Sequence, residues 1–323
     1  MARRTISLKD PSRFKDPAGL TWERYIALQA RERERYRTEF ATIPADALAY
    51  RTVSPRYLEN AVEQFANNYF SEEAATRYIG TAAASAPFEE LKRCCLFQMA
   101  DEQRHMEMDR DVFERAGVPE ADWLAAWEQP GTTCRFFRHV LELEDPIEIL
   151  VKANFVAEGA AGPASFAVLA DGAEERGDLL TAVNHRARVR DETRHISYAR
   201  ALVKALIDED PANLEVIQQW QDDALQLFME VAKGGHRRAW WEGFLGSYYK
   251  IALPLGLRPS PLSVSVPSAT PVTRTAPPTS RRVVPATSAL PGRTAIPDSS
   301  SRPAAPRRPR GRLGRPRRRT RST

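Results

Sequence analysis

The stretch Asp101-Glu102-Gln103-Arg104-His105 recurs, with only its middle residue changed, as Asp191-Glu192-Thr193-Arg194-His195. Both copies read D-E-x-R-H, and together they hold two of the chain's five histidines. On a helix, residues three apart share a face, with Cβ atoms about 5–6 Å apart. Glu102 and His105 can therefore ligate one ion together, and so can Glu192 and His195. A single E-x-x-H is ordinarily a surface pair. Two copies of a five-residue pattern in stretches of helical composition are far harder to dismiss, and the fold is read outward from them.

Between about residues 20 and 255 the chain is rich in Ala, Leu, Glu, Gln and Arg, all strong helix formers. It has no convincing strand-like alternation and no internal repeat beyond the motif itself. A capping residue followed by proline marks a helix start at Ser54-Pro55, Ser85-Ala86-Pro87, Asp145-Pro146 and Asp210-Pro211. The run ADGAEERGD, Ala170 to Asp178, is a further break. These boundaries predict helices over Pro55–Ala84, Pro87–Ala116, Pro146–Leu169 and Asp178–Ile207, with a fifth starting at Pro211. Four long helices joined by a short, a long and a short connection form an all-α, four-helix bundle with one long crossover and extra flanking helices. The long link, Gly117 to Asp145, carries Trp123 and Trp127 and is expected to hold a short helix. The domain reading is an N-terminal arm with a helix (1–53), a bundle domain (54–258) and a Pro/Arg-rich tail (259–323).

Hairpin geometry supplies partners for the two motifs. In an antiparallel helix pair, residues equidistant from the turn lie at one height. Glu102 stands fifteen residues past the turn near Pro87, and fifteen residues before that turn stands Glu72. Glu192 stands seventeen residues past the middle of ADGAEERGD, near residue 175, and seventeen before it stands Glu158. Glu73 competes with Glu72. The Glu72 face carries Phe65, Ala75 and Ile79, whereas Glu73 has Arg77 one turn on, so the apolar face favours Glu72 pointing inward. Glu158 sits in AEGAAGPASFAVLA, with no other charge between Lys152 and Asp171. A lone buried carboxylate there is costly unless it meets a cation.

The resulting set is Glu72, Glu102, His105, Glu158, Glu192 and His195. Four carboxylates and two imidazoles suit iron or manganese, whereas structural zinc favours thiolates in closed tetrahedral sites. Two E-x-x-H helices facing two single-Glu helices is the arrangement of di-iron carboxylate bundles.

The repeated D-E-x-R-H, with intervals of 30 residues (Glu72 to Glu102) and 34 (Glu158 to Glu192), resembles the ferritin-like di-iron hydroxylases, nearest the soluble methane, phenol and toluene monooxygenase group. The likeness runs from about Ser54 to Trp220. It implies that Glu102 and Glu192 bridge two iron ions, that Glu72 and Glu158 are terminal ligands, and that His105 and His195 each hold one ion. It further implies that Asp101 and Asp191 orient the imidazoles, with Arg104 and Arg194 paired to those aspartates. The activity implied is O₂-dependent hydroxylation of a small organic substrate. Its electrons would come from a separate NAD(P)H-dependent reductase, with a coupling protein and a homodimer or hetero-oligomer as further partners. In length, and in ALVKALIDEDPANLEVIQQW, the chain also resembles the smaller β-type hydroxylase subunit, which normally lacks the iron ligands; a structural subunit with a vestigial site is thus the alternative.

Three departures stand out. The monooxygenases commonly carry Thr one turn after the third-helix Glu, and Gly162 stands there. Ribonucleotide reductase small subunits carry a radical Tyr four residues after the first His, and Asp109 stands there. Pro163 is expected to kink the third helix near the ions, with Gly159, Ala160, Ala161 and Gly162 either leaving space or allowing close packing. A ferritin-like iron store fits the 34-residue interval least well. His185, two turns before Glu192, reads as a core or surface histidine rather than a seventh ligand, Cys95 as core, and His139 and His236 as solvated. Trp240, Trp241, Phe244, Tyr248 and Tyr249 form an aromatic cluster. Phe65, Tyr69, Phe155 and Phe166 point to an apolar or aromatic substrate, or to ordinary core.

Charge is unevenly spread. Residues 259–323 hold fourteen Arg, no Lys, one Asp and thirteen of the 24 prolines, a local balance of +13 within a total of +5, which leaves −8 for the rest. A segment without aromatic residues cannot offset its ordering entropy, so the tail reads as disordered. It also lacks stacking platforms for nucleic acid, so a nucleic-acid partner is not expected. Three cysteines fit a reducing, cytoplasmic setting. The charged N-terminus lacks the apolar core of a secretory signal, and no apolar run reaches membrane-span length.

Overall fold

The computed structural model describes residues 5–44, 55–117, 119, 121, 132–231 and 245–260, with backbone alone for 55–67, 132–134 and 228–231. The side chain of Phe65, Trp123, Trp127, His236, Trp240, Trp241, Phe244 and the tail beyond Ser260 lie outside the described residues. The described elements are helical, with no strand among them. In chain order they are α1 (Trp22–Ala41), α2 (Pro55–Ser85), α3 (Glu89–Ala116), α4 (Thr132–Leu141), α5 (Pro146–Ile149), a π-helix (Leu150–Glu158), α6 (Gly159–Ala161), α7 (Pro163–Glu175), α8 (Leu179–Glu209) and α9 (Asn213–Val231). Residues 245–252 are also helical.

Two hairpins form the ferritin-like bundle. In the first, α2 packs on α3. In the second, α7 and the π-helix pack on α8. The crossover between the hairpins contains α4, the short helix expected in the long link. Ile79, Leu91, Phe155, Leu202 and Val203 meet in one core cluster drawn from both hairpins. Along α3 and α8, Tyr25 of α1 stacks on Phe97 with ring centroids 4.1 Å apart. The amides of Lys9 and Asp10 both donate to the Glu209 carboxylate at 2.7 Å, tying the N-terminal segment to the end of α8.

Local chemistry accounts for the boundaries. Asp145 caps α5, its Oδ1 accepting from the amides of Ile147 (2.8 Å) and Glu148 (3.2 Å), with Pro146 in the first turn. Asp178 caps α8 through the amide and hydroxyl of Thr181, at 3.1 and 2.6 Å. The second helix begins at Glu89 rather than Pro87, because Ser85 does not cap it. The Ser85 hydroxyl instead donates back to the Thr81 carbonyl and closes α2, and Phe88 packs on the buried Phe14. Similarly, Asp210 and Pro211 form a turn and the fifth bundle-side helix, α9, begins at Asn213.

The third helix differs most from expectation. It is not one rod over Pro146–Leu169. Its middle runs as a π-helix, it breaks at Gly162 (φ −69°, ψ −109°), and Pro163, which has no amide hydrogen to lose, starts α7. The ADGAEE part of the supposed break continues α7 to Glu175. Asp171 and Glu174 there face Arg186 of α8, and only Arg176–Asp178 turn, with Gly177 at φ +76°. Among the described residues, no helix is long and apolar enough to cross a membrane.

Each aspartate cap satisfies amides that a helix start otherwise leaves bare. Asp145→Ala and Asp178→Ala are therefore each expected to lower stability by about 1 kcal/mol, measured as a shift in the urea unfolding midpoint.

Candidate metal centre

Four helical segments each aim donors at one point between the hairpins. Glu72 comes from α2, Glu102 and His105 from α3, Glu158 from the last residue of the π-helix, and Glu192 and His195 from α8. Five of the six are buried, and the Glu158 side chain is 14% exposed. They form two groups, Glu72, Glu102, His105 and Glu192 in one and Glu102, Glu158 and His195 in the other. Within a group, one donor atom from each residue lies within 4.8 Å of the others. Glu73 is half-buried and belongs to neither group.

The two motif glutamates span both imidazoles. Glu102 places Oε2 3.1 Å from His105 Nδ1 and Oε1 3.5 Å from His195 Nδ1. Glu192 places Oε1 3.6 Å from His105 Nδ1 and Oε2 3.9 Å from His195 Nδ1. Glu72 and Glu158 each approach one imidazole only, Glu72 Oε2 at 3.4 Å from His105 and Glu158 Oε2 at 3.6 Å from His195.

The far nitrogens of both rings are held by aspartates, and the pairing is crossed. His105 Nε2 meets Asp191 at 3.3 Å, and His195 Nε2 meets Asp101 at 3.1 Å. Arg104 likewise binds Asp191 and Arg194 binds Asp101, so these contacts run between α3 and α8, and Arg194 also reaches Asp191 of its own helix at 3.2 Å. Neighbours on a helix point about 100° apart, so when Glu102 faces the cluster, Asp101 faces the partner helix. An Nε2–H donated to a carboxylate leaves the Nδ1 lone pair directed at the cluster. From α1, the Gln29 amide also donates to Asp101, and the Tyr25 hydroxyl lies 2.9 Å from the same carboxylate and 2.7 Å from the Phe97 carbonyl.

Several site residues escaped the sequence reading. Gln98, four residues before Glu102, donates its amide to Glu102 (2.7 Å) and Glu158 (2.9 Å), while Asn154 and Tyr198 fix its carbonyl end. Arg188, four residues before Glu192, donates to Glu72 at 2.6 Å and to Asp109. Both lie one turn from a motif glutamate on its own face, so extending the motif by one turn would have found them. His185 is buried outside both donor groups against Phe166, and burial, then Arg188, brings its pKa down to about 3. Cys95 is core, and His139, expected in solvent, is half-buried.

The small residues around Glu158 pack closely instead of leaving space. A Cβ on Gly159 would lie 3.1 Å from the Tyr248 ring, and one on Gly162 would lie 2.6 Å from the Glu158 carbonyl oxygen and 3.5 Å from Glu192 Cβ. No side chain fits at Gly162 without moving Glu158.

The charge distribution asks for cations. Burial pushes Glu102 well up, with Glu72 and Glu192 adding to the effect. Burial does the same to Glu158, with Glu192 and Glu102 adding. Glu192 is pushed up to about 8, first by burial and then by Glu72. Only Glu72 is held down, at about 2, because Arg188 and His105 outweigh its burial. His195 Nδ1 and Glu158 Oε2 are buried acceptors facing each other with no hydrogen-bond donor to either. The donor set therefore fits two divalent cations, one per group, sharing Glu102.

Raised carboxylates, and His105, which its carboxylate neighbours raise despite burial, bind protons more tightly folded than unfolded. The stability they contribute is present at low pH and lost as pH rises toward their folded pKa. Glu72 acts in the opposite sense, but below the ordinary carboxylate range, and the depressed histidines His185 and His195 act only below about 6.5. From pH 7 to about 8 the metal-free protein is therefore expected to lose up to about 1.4 kcal/mol per pH unit for each group still protonated. Urea midpoints at pH 7.0, 7.5 and 8.0 measure this, and saturating Mn(II) should abolish the slope. Flat midpoints without metal would show that the carboxylates do not compete for protons.

Comparison with known proteins agrees with this architecture. The structure resembles that of toluene 4-monooxygenase in a toluene-bound resting state, at 20% identity over 77% of this chain and 80% of that one, with a TM-score of 0.59. It also resembles phenol hydroxylase from Pseudomonas sp. OX1, at 14% identity over 80% of this chain and 81% of that one, with a TM-score of 0.71. At these identities the likeness speaks for the fold. A sequence search of curated proteins gives no match. The family model for methane/phenol/alkene hydroxylases matches residues 1–210, and the chain belongs to that family.

Proposed function

We propose that this chain is the metal-bearing subunit of an O₂-dependent hydroxylase acting on a small, apolar or aromatic organic molecule. The observation that carries this reading is the complete donor set, six side chains from four helical segments forming two groups that share Glu102. Glu72 and His105 would hold one ion and Glu158 and His195 the other, with Glu102 and Glu192 between them. When bound, two iron ions would supply O₂ activation and oxygen-atom transfer; manganese suits the same donors.

The chain's own residues prepare that chemistry. Asp101 and Asp191 orient the imidazoles, and the crossed arginines pair with those buried aspartates. Tyr25 and Gln29 close the Asp101 end. Tyr69 and Phe155, both buried, stand three residues before Glu72 and Glu158 in the sequence, which supports an apolar substrate. The sequence carries no glycine-rich dinucleotide fingerprint, which supports a separate NAD(P)H-dependent reductase as the electron source. A coupling protein and a second hydroxylase subunit, or a second copy of the chain, complete the proposed assembly, and the cysteine usage supports a cytoplasmic setting for it.

Purified protein incubated anaerobically with Fe(II) is expected to take up two ions per chain and, under reduction with toluene or phenol present, to consume O₂ and yield hydroxylated product. Glu102→Ala removes the ligand common to both groups and should abolish both uptake and turnover. Failure of the unaltered protein to bind iron or consume O₂ ends the enzyme reading. Turnover by a complete complex that survives Glu102→Ala would make the chain a structural subunit.

A further inference from the structure

The two donor groups are held by different means. Glu72 is gripped by a guanidinium. Arg188 is fully buried, donates Nη1 to Glu72 Oε1 at 2.6 Å, and donates Nη2 to Asp109 and to the His105 carbonyl at 3.2 Å. Among the described residues it is the only Arg or Lys in ion-pair reach of the four ligand carboxylates. Its plane is fixed from a further side by the Phe166 ring, 5.5 Å from Cζ. Asp109, fully buried and also bound by the Asn184 amide at 3.1 Å, supplies the counter-charge. Glu158 is held by a neutral group, the Gln98 amide, through Oε1.

Both clamps occupy Oε1 of their glutamate and leave Oε2 facing the imidazole. They differ in what they do to charge. A buried guanidinium stabilises a neighbouring carboxylate in its ionised form, whereas an amide supplies one hydrogen bond and no net charge. Because Asp109 pairs with Arg188, an incoming cation meets an aimed Glu72 without a bare positive charge behind it. The Glu72 group also offers four donors against three in the Glu158 group.

On the reading that the cluster holds two ions, we propose that they load in order, the Glu72–His105 position first, and that Arg188 sets the order by holding Glu72 aimed at the four-donor group. The first ion would fix Glu102 and Glu192, both beside His105, in place. Both carboxylates reach His195 as well, so the second position becomes competent only after the first is filled. Arg188 is a positioning residue that acts through Glu72.

The test is anaerobic titration of the full chain with Mn(II), reading free Mn(II) by electron paramagnetic resonance and bound ions per chain after desalting. The unaltered protein is expected to bind two ions, and Glu158→Gln to retain one with unchanged affinity. Glu72→Gln is expected to lose both, because the second position does not fill alone. Arg188→Met should behave as Glu72→Gln does, with the first ion at least about tenfold weaker, within the 10–100-fold range typical of residues that position a ligand. Arg188→Lys, which keeps the charge but not the fork, should recover part of the loss. If Arg188→Met fails to fold by circular dichroism, Arg188→Lys and Asp109→Asn decide, each with an expected weakening of the first ion. Two ions bound with unaltered affinity in the Arg188 and Asp109 variants overturn the proposal, as does one ion bound equally well by Glu72→Gln and Glu158→Gln. Either result leaves the proposed function standing, whereas an unaltered protein that binds no Mn(II) and no Fe(II) ends both.

Discussion

Four carboxylates within a few ångströms of each other, largely shielded from water, cannot all carry charge unless cations sit among them. Transfer of even one ionised carboxylate into a protein interior is costly without a partner, and here Glu102, Glu158 and Glu192 are all driven toward protonation by burial and by one another. A fold built only for stability would replace such a cluster with packed apolar side chains, which are commonly as stable or more so. The rest of the bundle is organised around tolerating it. The donors are taken from four separate segments, so each backbone is fixed by its own packing, and the cluster is assembled only when both hairpins are in place.

The crossed D-E-x-R-H contacts serve this in two ways at once. Each Asp, Arg and His from α3 bonds to its counterpart set on α8, so one symmetric lattice both orients the imidazoles and ties the hairpins together. Removal of one member leaves other buried charges unpaired, which makes the motif act as a unit rather than as ten separate residues. The lattice also separates roles within five residues. The Glu and His of each copy face the cluster, and the Asp and Arg face the partner helix.

The six donor positions were legible in the sequence because helical period and hairpin reflection turn spacing along the chain into height and face. Glu72 and Glu158 were found that way, although the helix carrying Glu158 is not regular. The crossed pairing was not legible, since spacing says nothing of which of two equivalent aspartates each imidazole meets. Gln98 and Arg188 lacked a motif of their own and are recognisable only by their distance of one turn from Glu102 and Glu192. The start at Glu89 was missed because a Ser there can either accept from the amides of the next helix or donate to a carbonyl of its own, and local back-bonding won.

The π-helix is the least predictable element and the one the centre most depends on. Its backbone hydrogen bonds reach one residue further than in an α-helix, a register that leaves no apolar periodicity to read, and such segments persist only when surroundings over-determine them. Here polar bonds pin it near its start and at its middle. At its start the buried Lys152 binds Glu148 at 2.9 Å and Asp223 of α9 at 3.5 Å. Further along, Asn154 bonds to Gln98 and to the Tyr198 hydroxyl, the same network that holds Glu158. The π register ends at Glu158, the chain breaks one turn later at Gly162, and the Glu158 carbonyl closes the space a side chain there would need. The second hairpin therefore delivers Glu158 by an irregular, bonded backbone and a neutral amide, whereas the first delivers Glu72 by a regular helix and a buried ion pair. The inequality of the two positions is thus built into the backbone as well as into the charges.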